Sequence, residues 1–283
     1  MRRFARFIGI DWSGARGARH RSVAVASCDA GQGAPILLAP PGGAWARAEV
    51  LAWLHDLAAR RERALIGMDF SFAPPFLDRS EYFPGVAAPA QARALWAWVD
   101  AGAQDVDLGA AGFVAERLRA HFYFGAASGP KAAFQRWRVC EARFNAGGGG
   151  KASSIFDCVG AAQVGKASFA GMRLLHGLGA AIPVWPFDPV PDDGPLLVEI
   201  YARVFLRRAG GRGLKLRDGA ALDATLAALG SDPAEGGAWM SDHATDAMVT
   251  AAGLRAAVGD AGVWQPDGLT PEVAASEGWT FGV

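Results

Sequence analysis

The 283-residue chain has no apolar run approaching the roughly 18 residues that cross a bilayer, so no membrane partner is expected. Its basic opening, MRRFARFIGID, holds an apolar run of only four residues before Asp11, too short for the core of a secretory signal. The expectation is a cytoplasmic protein. Cysteine is scarce: Cys28, Cys140 and Cys158 lie far apart without a CxxC pair. That excludes a disulfide framework or a cysteine-built zinc site and leaves three reduced, mostly buried thiols. Neither charge sign is in excess, with 28 basic residues against 28 acidic. Whole-molecule electrostatics therefore draws the chain to neither nucleic acid nor membrane, and a polyanion would have to meet a local basic patch. No internal repeat is present, and nothing in the sequence sets an oligomeric state.

Several phosphate-binding and nucleophile signatures also fail. Gly147–Gly150 followed by Lys151-Ala152-Ser153 is not a phosphate loop, because Ala follows the Lys and Asn145 takes the place of the leading Gly. This tetraglycine is expected to be a flexible joint. Gly14 and Gly17 follow a strand, but RSVAVAS after them reads as another strand where a dinucleotide fold needs a helix. Ser13 and Ser71 follow two aspartates at the same offset, outside any G-x-S-x-G elbow.

What is present is a chain about half apolar, enough for a sizeable core. Strands are expected over Phe4–Ile10, Ser22–Ser27 and Pro35–Ala39, then a helix over Trp45–Arg61 and a strand over Ala64–Asp69, stopped by Pro74-Pro75. Residues 85 to 180 are rich in Ala, Trp and Arg. Helical patterns there cover Gln91–Ala101, Ala111–His121, Lys131–Asn145 and Phe169–Leu178, read as a helical insertion or a lid. Strands over Ala181–Phe187 and Leu196–Ala202 follow, then helices over Asp218–Leu229 and Ala244–Ala257, the second capped by Ser241 or Asp242. The tail beyond Val258 is expected to be surface loop with a Trp279-Thr280-Phe281 anchor. The whole is read as one α/β domain, its core in residues 1–80 and 181–260 and its insertion in 85–180.

Four acidic residues stand in apolar settings. Asp11 and Asp69 close strands, Glu199 lies inside one, and Asp246 is in the first turns of the last long helix with Asp242 one turn earlier. Buried carboxylates cost several kcal/mol unless paired, hydrogen-bonded or metal-bound, and several together repel unless a proton or cation sits among them. Oxygen ligands without Cys and with few His suit Mg²⁺ or Mn²⁺. Asp242 and Asp246 share a helix face, as do His243 and Asp246. The alternatives are local. A strand-end Asp can be a turn former, Asp242 an N-cap, and Glu199 can point to solvent. Arg16, Arg19, His20 and Arg21 lie near Asp11 in a turn that can contact a phosphate or simply be a solvated hairpin tip. Arg136, Arg138, Glu141 and Arg143, interleaved with Phe134, Trp137 and Phe144, are read as an amphipathic helix with salt-bridged Arg and Glu, or else as a nucleic-acid-facing surface.

The order of these segments, with the motifs GIDWSGA, LIGMDFSFAPP, VEIYARVF and DHATDAMVTAAGLR, resembles an uncharacterised bacterial group of predicted nucleases in the RNase H-like superfamily. The resemblance covers residues 5–75 and 195–257. It implies a mixed sheet flanked by helices and two-metal cleavage of a phosphodiester in nucleic acid or of another phosphorylated substrate. By position it implies that Asp11 bridges two ions, Asp69 holds one, Asp246 the other and Glu199 completes the shell, with Asp242 a further metal ligand on the same helix face. Ser13, Arg16, Ser71 and His243 would meet the substrate, His243 being similar to the His or Asp that junction-resolving relatives carry on this helix. Ala202 stands where the group often has Pro. A rival resemblance is to the actin-like and sugar-kinase phosphotransferases, in which the GIDWSGAR turn would wrap ATP phosphates. That fold repeats its βββαβα unit, and only one copy is legible here. A third reading is a catalytically inactive RNase H-like binding protein.

Overall fold

Alternation along the first strand decides what covers each side of the sheet. Successive side chains of a strand point to opposite faces. Ile8 and Ile10 therefore join one apolar core and Phe7 the other. The same division runs through Ile66 and Met68 against Leu65, and through Leu197 against Leu196 and Val198. The computed structural model describes residues 4–148, 151–159, 163–211, 215–216, 218–234 and 240–283.

The strands are β1 (Arg6–Asp11), β2 (Ala24–Asp29), β3 (Ile36–Leu37), β4 (Ala64–Asp69), β5 (Val184–Trp185) and β6 (Leu196–Glu199). They form a six-stranded mixed sheet in the order β3-β2-β1-β4-β6-β5. β1, β2 and β3 pair antiparallel, whereas β1, β4, β6 and β5 run parallel. Parallel neighbours need a crossover, and α1 (Arg47–Ala59) supplies it between β2–β3 and β4.

One face of the sheet is covered by α1, α2 (Ala92–Gly102), α3 (Ala111–Arg117) and α5 (Val164–Leu178), all feeding the core that contains Ile8 and Ile66. The middle of the chain thus packs continuously with the first strands. The other face is covered by α6 (Ala202–Arg208), α7 (Gly219–Ala228), α8 (Asp242–Ala257) and α9 (Pro271–Ser276), with α4 (Val139–Ala146) at its margin. The protein is mixed α/β, and no helix of the described residues is long and apolar enough to cross a membrane. All three cysteines are buried and free.

Three expectations need correction. The strand expected over Leu196–Ala202 ends at Glu199, and the chain enters α6 at Ala202. β4 stops at Asp69, so after the Ile200 amide donates to the Met68 carbonyl at 3.0 Å the neighbouring strand offers no further ladder partner. The helix expected over Lys131–Asn145 is split into a 3₁₀ turn, Lys131–Phe134, and α4. Between them Gln135 and Arg138 are extended. A continuous helix would turn residues 136 and 138 about 200° apart, whereas both guanidiniums are buried. The stripe Arg136, Arg138, Glu141 is therefore no nucleic-acid-facing surface.

The tail beyond Val258 is more ordered than a surface loop. Thr270 caps α9 through a 3.2 Å bond to the Val273 amide, Glu277 is buried, and Thr280 bridges to β6 at Glu199. Trp279 and Phe281 anchor it in the core. The joint expected at Gly147–Gly150 falls partly outside the described residues, at 149–150.

Candidate active site

Parallel pairing in register sets Asp11 beside Asp69, each the last residue of its strand. The third acid arrives on α8, and Gly9 allows it. A Cβ at Gly9 would stand 2.2 Å from the Ala247 carbonyl oxygen and 2.7 Å from the Thr250 Cβ. Only a residue without a side chain lets the helix lie this close to β1. One turn earlier the same helix carries His243 and Asp246 to the strand ends, with Ser241 as its cap and Asp242 as its first residue. His243 Nδ1 lies 2.5 Å from Asp11 Oδ2.

These groups open onto a cavity of about 650 Å³ at the C-terminal ends of β1 and β4. Asp11, Asp69, Asp242, His243 and Asp246 all line it, as do Ser13 and Ser71. Asp242 is ion-paired with Lys215, which pulls its carboxyl below the usual range. Burial pushes Asp69 well above that range, and the charges of Asp11 and Asp246 push it further, against a hydrogen bond from the Ala202 amide. Asp246 is raised to about 7 by burial and then by Asp11. Burial also raises Asp11, opposed by its bond to His243, and that bond raises the imidazole in turn. Among the described residues neither Asp69 nor Asp246 has a salt-bridge partner.

The structure does not leave Glu199 available as a ligand. One carboxylate oxygen accepts from the Phe72 amide and Arg138 Nη1, both at 2.7 Å. The other accepts from Arg138 Nη2 and from the Thr280 hydroxyl at 2.6 Å. Both partners of this pair are about 2% exposed at the side chain. With four donors on it, Glu199 is a buried structural ion rather than the completion of a metal shell. Arg16 is likewise not brought to the acids; it borders a separate cavity of about 450 Å³. Of its neighbours in the turn, Arg19 pairs with Glu49, and His20 is buried against Asp107 at 3.0 Å. Among the described residues no group of three or more His, Cys, Asp or Glu side chains is placed to hold a metal ion as it stands.

Arg47, Tyr201 and Lys215, at or supporting the site, escaped the sequence reading. Arg47, fully buried, donates to the Ser13 carbonyl at 2.8 Å and the Ala15 carbonyl at 2.6 Å, pinning the turn after β1. Its place in the stripe Arg47, Val50, Leu54, Leu57 was the available signal. Gly14 presses the same turn onto α5, where a Cβ would stand 2.2 Å from the Ala167 amide. Ser13 Oγ accepts from the Ser22 hydroxyl at 2.7 Å within the turn, and the Ser71 amide donates to Ser168 Oγ at 3.1 Å. Tyr201 and Lys215 reach the cavity from loops with no periodic pattern. Comparison of the chain with protein-family models, with curated proteins and with solved structures returned no match.

Proposed function

We propose that this cleft is the active site of an RNase H-like, metal-dependent hydrolase acting on a phosphodiester or related phosphoryl bond. One observation carries the reading: Asp11, Asp69 and Asp246 converge on one cavity from two parallel strand ends and a helix, and two of them lack a salt-bridge partner among the described residues. Such a trio favours either protons or a cation. On donor chemistry it fits Mg²⁺ or Mn²⁺, hard ions that take oxygen ligands. The strand order, with two antiparallel strands beside a parallel set, supports the same reading.

When bound, such an ion supplies charge neutralisation, polarisation of a phosphoryl oxygen and a more acidic water. Asp11, Asp69 and Asp246 would hold it. Glu199 does not take part; it fixes the strand end through Arg138. His243 has a side chain 44% exposed and is made more basic by Asp11. Its bond to Asp11 favours the protonated imidazole, and in this reading it is the group that would deliver a proton to a leaving oxygen. Ser13 and Ser71, which also line the cavity, would contact the phosphoryl group.

The test uses purified protein with an aryl phosphodiester and a single-stranded oligonucleotide, each with Mn²⁺ or Mg²⁺. Wild type is expected to be stabilised by the ion and to hydrolyse substrate. Asp11→Asn and Asp69→Asn should fold and lose both responses. Full metal-dependent activity in either variant refutes the assignment. No stabilisation by either ion favours a non-catalytic binding role.

A further inference from the structure

The cavity has a second wall that the hydrolytic chemistry does not use. The cavity is lined also by Tyr201, at the turn from β6 into α6, and by Phe144 at the end of α4, their rings edge to face at 5.3 Å. Arg203 lies with its guanidinium carbon 5.8 Å from the centre of the Tyr201 ring, and Arg207, one helical turn on, sits 3.5 Å over Phe144. Arg203 lines the cavity, and no carboxylate lies within salt-bridge distance of it among the described residues. Among the described residues its one hydrogen bond is long, 3.5 Å to the Lys151 carbonyl. Burial raises the Tyr201 phenol's pKa; Arg203 opposes the shift and Asp69 adds to it.

A flat aromatic surface beside an uncommitted guanidinium is suited to a base and its phosphate. Base–aromatic stacking is sequence-tolerant and Arg adds both charge and cation–π attraction. The dimensions restrict what can use it. At about 650 Å³ the cavity has the size of a small-molecule site, roughly 300–1,000 Å³. It is bounded by the turn after β1, by α4, by the first turn of α5 and by the tail at Val283. We infer that the site takes an unpaired nucleotide, stacked on Tyr201 with its phosphate held by Arg203, and does not accept an intact duplex. The inference rests on the hydrolytic reading for the acidic half of the cavity. A free nucleotide and the end of a single strand share this chemistry.

Fluorescence anisotropy of a labelled single-stranded hexanucleotide in Mg²⁺ tests it. Competitors are the same sequence as a blunt duplex, a mononucleotide and inorganic phosphate. The strand is expected to bind at least about tenfold more tightly than the duplex, with phosphate weakest. Effective competition by the mononucleotide identifies a free nucleotide as sufficient; its failure assigns the site to strand ends. Tyr201→Leu and Arg203→Gln should each weaken strand binding about tenfold, and Tyr201→Phe should stay within about twofold. Circular dichroism checks that Tyr201→Leu folds, and Arg203→Gln on the surface of α6 provides the second reading. Equal binding of duplex and strand, wild-type binding by a folded Tyr201→Leu or by Arg203→Gln, or no binding of any nucleotide overturns the inference. The hydrolytic reading fails separately. Its failure is strand binding that depends on Tyr201 and Arg203 with no metal-dependent cleavage. Metal-dependent hydrolysis of an aryl phosphodiester without nucleotide binding defeats this inference alone.

Discussion

Asp11 and Asp69 are register partners across two parallel strands, so two carboxylates are held side by side with a third, Asp246, facing them from α8. Holding them together opposes folding unless protons or cations intervene. Most of what the protein is expected to do in solution follows from that tension.

Replacing Asp69 with Asn should stabilise the metal-free protein while abolishing the metal-dependent hydrolysis proposed above. The carboxyl is pushed well above its ordinary pKa by burial and by two like charges. A neutral isostere removes that repulsion. Urea denaturation at pH 8 is expected to show a gain of about 1–3 kcal/mol; a loss of that size would mean that the charged form is held by contacts not described above.

Asp246 sets a pH dependence. Its folded pKa, about 7, lies above the ordinary carboxyl value of 3.8. Between these values the folded state binds more protons than the unfolded one, so stability falls as pH rises. The contribution is fully present below about pH 4 and gone above about pH 7, a change of roughly 2–4 kcal/mol. In metal-free wild type the denaturation midpoint should therefore decline across this window more than in Asp246→Asn. The stabilisation given by Mn²⁺ should grow over the same range, because the ion competes with the proton.

Gly9→Ala should be damaging out of proportion to one methyl group. The added carbon meets the Ala247 carbonyl oxygen at 2.2 Å, and that atom belongs to a helix backbone that cannot rotate away. Separation of α8 from β1 is expected to cost at least about 1–3 kcal/mol and to carry Asp246 away from Asp11 and Asp69. Thermal melts and Mn²⁺ titration should both report the change. A fully active, equally stable Gly9→Ala protein would contradict the packing.

The Arg138–Glu199 pair predicts an asymmetry. Arg138→Met leaves two buried carboxylates, Glu199 and Glu141, without their shared partner and should cost at least about 3–5 kcal/mol. The double variant with Glu199→Leu should recover only part of that loss, since Glu141 stays buried without its guanidinium partner. Denaturation of the two single variants and the double variant gives the coupling directly. Metal stabilisation should survive in the double variant, because Glu199 already has its four donors from the protein.

Asp11, Asp69 and Asp246 were legible because their settings are local: a carboxylate closing an apolar run, or spaced on a helix next to a cap. Glu199 has much the same local setting as Asp69, yet its role is set by Arg138, 61 positions away, and by Thr280, 81 positions away. The break of the 131–145 segment was equally invisible, since helical periodicity in that sequence is real and only the burial of Arg136 and Arg138 defeats it. The sequence by itself therefore determined the strands, their acidic ends and the helix that meets them, because short-range spacing records which side of an element each residue occupies. Tertiary structure alone decided which carboxylates keep free oxygens, since that depends on donors delivered from distant segments that no local pattern announces.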